Sequence, residues 1–309
     1  MVLNTVSQKS LLGIWLMVAG IFVVSLEDAG SKFLVEQDYH PFQLMALSGW
    51  MVVAVLLVSA GFQKKNLRRG LAAFKTSHWR WHMLRAALSV LTGLCFLFSL
   101  KFFKLVDVTI IFFSAPILMT SLSAIFLKEK VGIYRWTAVG AGFLGVVIAL
   151  QPDLEIWNWK VLLPLCGSFA YAARAVLIRS MSGVETATQI VFHTRLGVAL
   201  YSTAPMLFFW KNMPVWDFYL LAVMSGLLLV AHVLITKSNV VASLSVVGPF
   251  EYTALIWTGI LGYAIWGDIP TTEMSLGALF IIGAGILIMY RETRREFSDD
   301  GFPEIKSNP

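Results

Sequence analysis

The chain has 309 residues, 58% of them hydrophobic and only 14% charged, with 24 Lys and Arg against 18 Asp and Glu. No soluble domain hides that share of apolar surface, so the composition excludes an ordinary globular protein and points to the lipid bilayer. The basic excess is sorted loop by loop, as follows, which argues against a nucleic-acid surface as its cause.

Apolar runs bounded by charge or by Pro and Gly give ten spans, at 11–34, 42–62, 81–101, 106–127, 134–150, 159–179, 188–209, 216–236, 243–266 and 273–290. Most approach the roughly 20 residues that cross about 30 Å of hydrocarbon. An even count puts both termini on one side. Sixteen of the basic residues fall in loops on that side, against Lys101, Lys104, Lys160 and Lys211 on the other. Positive loops stay inside, so both termini are expected in the cytoplasm.

The first span is longer than a signal sequence and has no small-residue cleavage site after it, so it reads as a retained helix. It carries Glu27, Asp28 and Lys32; the last two are four apart and can partly neutralise each other. Span two has no charge. Span three holds Arg85 about a turn below the cytoplasmic surface, where it can snorkel to phosphate. Asp107 opens span four as an expected N-cap, and Phe112 and Phe113 precede a break at Pro116. Span four ends at Glu129 and is followed by a helix with Gly140, Gly142 and Gly145.

The loop QPDLEIWNW suits the membrane interface through its Trp residues. Span six carries Tyr171 and Arg174, span seven His193 and Arg195, span eight His232. In Ser245–Ile269 a Gly248-Pro249 break is joined by Glu251 and Tyr252, then Trp257 and, at the edge, Asp268. A Gly-rich helix with Gly277, Gly283 and Gly285 follows, and the tail 291–309 is polar and expected to be disordered. Cys95 and Cys166 lie inside spans and read as packing residues, with no metal or disulfide framework.

Lys32, Arg85, Arg174 and Arg195 stand against Glu27, Asp28, Asp107 and Glu251 within the spans. Unpaired, that set would cost on the order of 20 kcal/mol, so most must pair or face a polar cavity. The two breaks, each followed by an edge acid and a Gly-rich helix, mark one five-helix unit used twice, at 11–150 and 159–290. Five is odd, so the second copy runs inverted. The expected fold is an all-α membrane protein of ten helices in two inverted repeats, the signature of alternating access with substrate near the midplane.

The blocks Asp107–Leu150 and Pro249–Glu292, with LEDAGSK at Leu26–Lys32 and HMLRAAL at His82–Leu88, resemble the two EamA domains of the drug/metabolite transporter superfamily. The resemblance spans nearly the whole chain and implies ten helices, cytoplasmic termini and secondary transport of a small organic solute. Similar members carry amino acids, S-adenosylmethionine or riboflavin. Asp28, Lys32, Arg85, Glu129, His232, Glu251, Tyr252 and Asp268 fall at family-like polar positions. Two departures stand out: Ser48 occupies a place where related sequences often have Arg, and His193 and Arg195 are unexpected.

On this reading Arg174 and Arg195 hold an anionic group, since Arg matches carboxylate or phosphate with paired donors. Asp28 or Glu251 holds an ammonium or sulfonium, and Phe112, Phe113, Tyr252 and Trp257 pack an apolar or aromatic portion. Lys32, Arg85, Tyr171, His193 and His232 complete the expected substrate site, while Pro116, Glu129, Pro249 and Asp268 belong to gating or structure. The expected function is secondary transport of a zwitterionic, amino-acid-like or nucleoside-like metabolite across a bacterial-type cytoplasmic (inner) membrane, with protons or a counter-substrate as partners. Monomer and homodimer both stay open.

The alternative is a membrane-embedded enzyme or flippase for lipid-linked substrates. The chain has no HExxH, GxSxG or GxxxxGK(S/T) pattern and no metal-ligand cluster, so neither enzyme nor cofactor is expected.

Overall fold

A computed structural model describes residues 2–63, 74–126, 133–150, 159–180, 187–241, 247–283 and 286. Glu129, the loop 151–158 and the tail 291–309 lie outside the described residues. Among the described residues the elements are helices: α1 (Val2–Glu36), α2 (Pro41–Gln63), α3 (Trp79–Leu100), α4 (Leu105–Phe112), α5 (Ala115–Phe126) and α6 (Ile133–Leu150). A 3-10 turn at Trp159–Val161 leads into α7 (Leu162–Ser180), followed by α8 (Ala187–Phe208) and α9 (Val215–Val241). A second 3-10 turn at Gly248–Tyr252 leads into α10 (Thr253–Trp266), and α11 covers Thr272–Gly283.

Five of the described helices are long and apolar enough to cross a membrane, and α4 to α5 and α11 are shorter apolar helices. Their surfaces are inverted relative to a soluble protein. Phe143, Phe208, Val215 and Trp216 are all well exposed, as lipid-facing side chains should be, whereas Gln43, His82, Arg85, Lys32 and Asp107 are buried.

The expected span four is two helices. Phe113 and Ser114 close α4 with backbone bonds to Ile110 O and Ile111 O, and Pro116 stands at the second position of α5. Pro lacks a donor and disfavours helix in the residue before it, which is enough to part the two. The other break has the same cause, with Pro249 in the first turn of the 3-10 segment.

Packing follows a crossed scheme. α1 lies along α9 and α3 along α7, α2 packs on α8, and α4 on α10. α1 also touches α10, as α7 touches α4 and α5. The Gly-rich helices meet at Gly145: a Cβ there would lie 2.7 Å from Phe280 Cβ and 2.8 Å from Gly277 O. So the small residues of α6 serve close approach to α11 within one chain.

Candidate functional site

α1 presents Glu27, Asp28 and Ser31 on the side it turns to the bundle, and Ser31 Oγ donates to Glu27 Oε1 at 3.0 Å. Across from it α7 carries Tyr171 and Arg174, three residues apart and hence on one helix face. The Arg174 guanidinium stands 4.7 Å over the Tyr171 ring. Its Nη1 reaches Ser89 Oγ on α3 at 3.5 Å, while its Nε is buried with no hydrogen-bond partner among the described residues.

Arg195 on α8 is within electrostatic reach of Glu27 and of Arg174, and His232 on α9 is within reach of both arginines. His232 donates from Nδ1 to Leu228 O at 2.7 Å, which leaves its Nε2 facing outward from its own helix. Four helices thus converge two acids, two guanidinium groups and an imidazole.

The 3-10 turn after the second break adds an exposed Glu251 and, beside it, Tyr252. Tyr252 meets Phe113, from the first break, at 4.9 Å between ring centroids. Trp257 is edge-on to Phe22 of α1 at 5.0 Å, and its Nε1 is buried without a partner among the described residues. A buried donor left unpaired costs about 1–3 kcal/mol, so Arg174 Nε and Trp257 Nε1 each carry an unmet hydrogen-bond demand. The two helix breaks therefore bring an aromatic pair together, Phe113 from the first and Tyr252 from the second.

Other expected site residues lie elsewhere. Arg85 is fully buried and spent: Nε donates to Thr194 Oγ1 at 2.9 Å, and Nη2 donates to Ile190 O at 2.6 Å and to His82 Nδ1 at 2.9 Å. It pins α3 to α8 rather than snorkelling. His193 stacks on His82 at 4.4 Å in the same junction. Phe112 packs edge-on to Phe96 and fills the space over Gly167, apart from Phe113.

The expected Asp28 to Lys32 neutralisation is corrected. Lys32 is 4% exposed and its Nζ pairs with Asp268 Oδ2 at 2.9 Å and with Glu36 Oε1 at 3.7 Å, over the Trp266 ring at 4.2 Å. Asp268 gets there because Gly267 adopts φ 70, a left-handed cap that turns the chain out of α10. Trp266 Nε1 donates to Glu36 Oε2, and Lys104 Nζ donates to Ile269 O at 2.6 Å. Nearby, Lys211 Nζ donates to Gln37 O at 2.7 Å. These bonds close the end of the bundle opposite the N-terminus of α1.

Asp107 is likewise not the N-cap. Lys104 holds that position, and Asp107 lies in the first turn of α4. Cys95 is buried as expected, but Cys166 is exposed.

Glu27 joins the charged cluster although sequence reasoning leaves it out of the site. Its signal is an acid one residue before Asp28 and four before Ser31.

An apolar outer surface around an interior of converging charges defines a multi-pass helical membrane protein with a polar central site. Residues 9–151 match the EamA-like transporter family. The match covers a little under half of the chain, so its first half resembles an EamA-like transporter domain. It is 25% identical over 284 residues to a riboflavin transporter of Vibrio cholerae, covering 91% of this chain and 94% of that one. A riboflavin transporter of Rhizobium johnstonii is 29% identical, with 92% of each chain covered. An S-adenosylmethionine uptake transporter of Rickettsia bellii is 24% identical, covering 94% and 98%. A solved crystal structure superposes with a TM-score of 0.61 at 16% identity, over 94% of this chain and 99% of that one, and so shares the fold.

Proposed function

We propose that the protein is a secondary active transporter that moves a small zwitterionic metabolite, amino-acid-like or nucleoside-like, across the cytoplasmic membrane by alternating access. The observation that carries this reading is the cluster in which Arg195 lies within reach of both Glu27 and Arg174, with Asp28 beside Glu27 and the donors Arg174 Nε and Trp257 Nε1 left unpaired among the described residues. The guanidinium groups take a carboxylate or phosphate, the acids an ammonium or sulfonium, and the rings a planar portion. Relatives named for riboflavin and S-adenosylmethionine, both of which contain a planar ring system, support the aromatic part of this reading, and S-adenosylmethionine alone supports the paired charges.

The crossed packing supports two inverted repeats, 11–150 and 159–290, giving ten spans. Exchange of the halves maps α1 on α9 to α7 on α3, and leaves α2 on α8 and α4 on α10 unchanged. Loop charge puts both termini in the cytoplasm, so the closed end is external.

The test is thermal stabilisation of the purified protein by flavins, S-adenosylmethionine, nucleosides and amino acids, repeated with Arg174→Ala, Arg195→Ala and Glu251→Gln. A bound metabolite at 100 times its Kd raises stability by about 2.7 kcal/mol. We expect a zwitterionic or heterocyclic compound to stabilise the wild type, and the arginine variants to lose that shift. A hit that survives all three substitutions would displace the site.

A further inference from the structure

Asp107 has no use in the central site. It is 7% exposed, and its Oδ1 is buried without a hydrogen-bond partner among the described residues. The charges that reach it are Lys104 at the N-cap of its own helix, Asp268 beyond α10 and Lys32 of α1. Lys32 in turn binds Asp268 and Glu36, and Lys104 is tied to Ile269 O. From α3 the end charge is Lys101, matched to Asp38 at 3.7 Å, and from the lead-in of α7 it is Lys160, whose ammonium lies 4.3 Å over the Phe102 ring. Two ammonium groups therefore answer three carboxylates, and one of the three is sealed.

We propose that Asp107 is a proton-binding site whose occupancy closes the external end of the transporter through the Lys32 and Asp268 pair. With the end open, Lys32 is free of Asp268 and Asp107 is hydrated as a carboxylate. When the end closes, the Lys32 ammonium moves fully onto Asp268, and Asp107 takes one proton from external water before it is sealed. On reopening the same proton returns to that water, so charge and atoms balance without another reactant. A metal cation does not fit here, since hard cations take about six or more oxygen ligands and Asp107 offers one unpartnered oxygen.

This rests on the transporter reading for its purpose, but its test needs no substrate. Cys95 and Cys166 are replaced by Ala, and Ala29→Cys, on the buried face of α1 one turn before Lys32, is labelled in intact cells with a membrane-impermeant thiol reagent. If closing takes up one proton, the labelling rate, divided at each pH by that of a cysteine on an exposed external loop to remove the thiolate dependence, rises with external pH between about 4 and 6, with a slope of up to about tenfold per pH unit. Asp107→Asn should flatten the profile at the slow rate, and Asp107→Glu, which keeps a carboxyl, should retain a pH-dependent rate. A flat profile in the parent, or an unchanged slope in Asp107→Asn, overturns the proposal. A slope that follows Asp107 alongside a silent metabolite panel would keep the proton site and remove the substrate reading.

Discussion

Single side chains decide where the charge goes. Arg85 donates two hydrogen bonds across the junction of α3 and α8 and a third to His82 on its own helix, and bonds from a charged donor contribute about 1.5–3 kcal/mol each when buried. Arg85→Ala should lower the melting temperature strongly, and Arg85→Lys should recover little, because an ammonium lacks the planar fork. An unchanged melting temperature in either variant would mean that Arg85 is not a pin. Tyr39, outside the spans, donates to Asp217 Oδ2 at 2.6 Å. Burial, then that bond and the Asp217 charge, push its phenol from 10.0 up to about 12. The folded state therefore favours the neutral phenol: its stabilisation is complete below pH 10.0 and is lost as pH rises through about 12. Thermal melts of Tyr39→Phe should decline less steeply than wild type over that alkaline range; parallel curves would dismiss Tyr39 as the titrating group.

The residue scale is also where the sequence is least legible. Lys32 and Asp268 are 236 residues apart, so local spacing offers Lys32 only Asp28 and Glu36 as partners and hides the third. Asp107 looks like a cap because an acid near a helix start usually is one, and the true start at Lys104 depends on where α3 delivers the chain. Glu27 is visible but shadowed by its neighbour. Arg174, Arg195 and His232 can be named from their cost in a bilayer, although their convergence with α1 cannot.

Elements are easier, because Pro and Gly act locally. Both breaks appear where Pro116 and Pro249 put them, and they bring Phe113 to Tyr252. The expected span four nevertheless divides into α4 and α5. The Gly spacing in α6 and α11 announces close packing without naming the partner, and Gly145 against Gly277 O and Phe280 names it. Gly145→Leu should force the helices apart at a cost of about 1–3 kcal/mol, read as a lower melting temperature. Gly140, where an added Cβ would meet nothing within 4 Å, should accept the same change with little effect. Equal losses at the two positions would rule out the close approach as the cause.

For the whole molecule, composition alone selects the membrane, and the burial of polar side chains beneath large exposed apolar ones agrees with it. The closed end is assembled from two kinds of link. Lys32 to Asp268 joins two side chains, so a change at one position can be compensated at the other. Lys104 and Lys211 instead donate to the main-chain oxygens of Ile269 and Gln37, which every amino acid possesses. In related sequences the first link should leave a trace of paired substitution. The other two should persist while Ile269 and Gln37 drift freely, making this closure tolerant of evolutionary change on its accepting side.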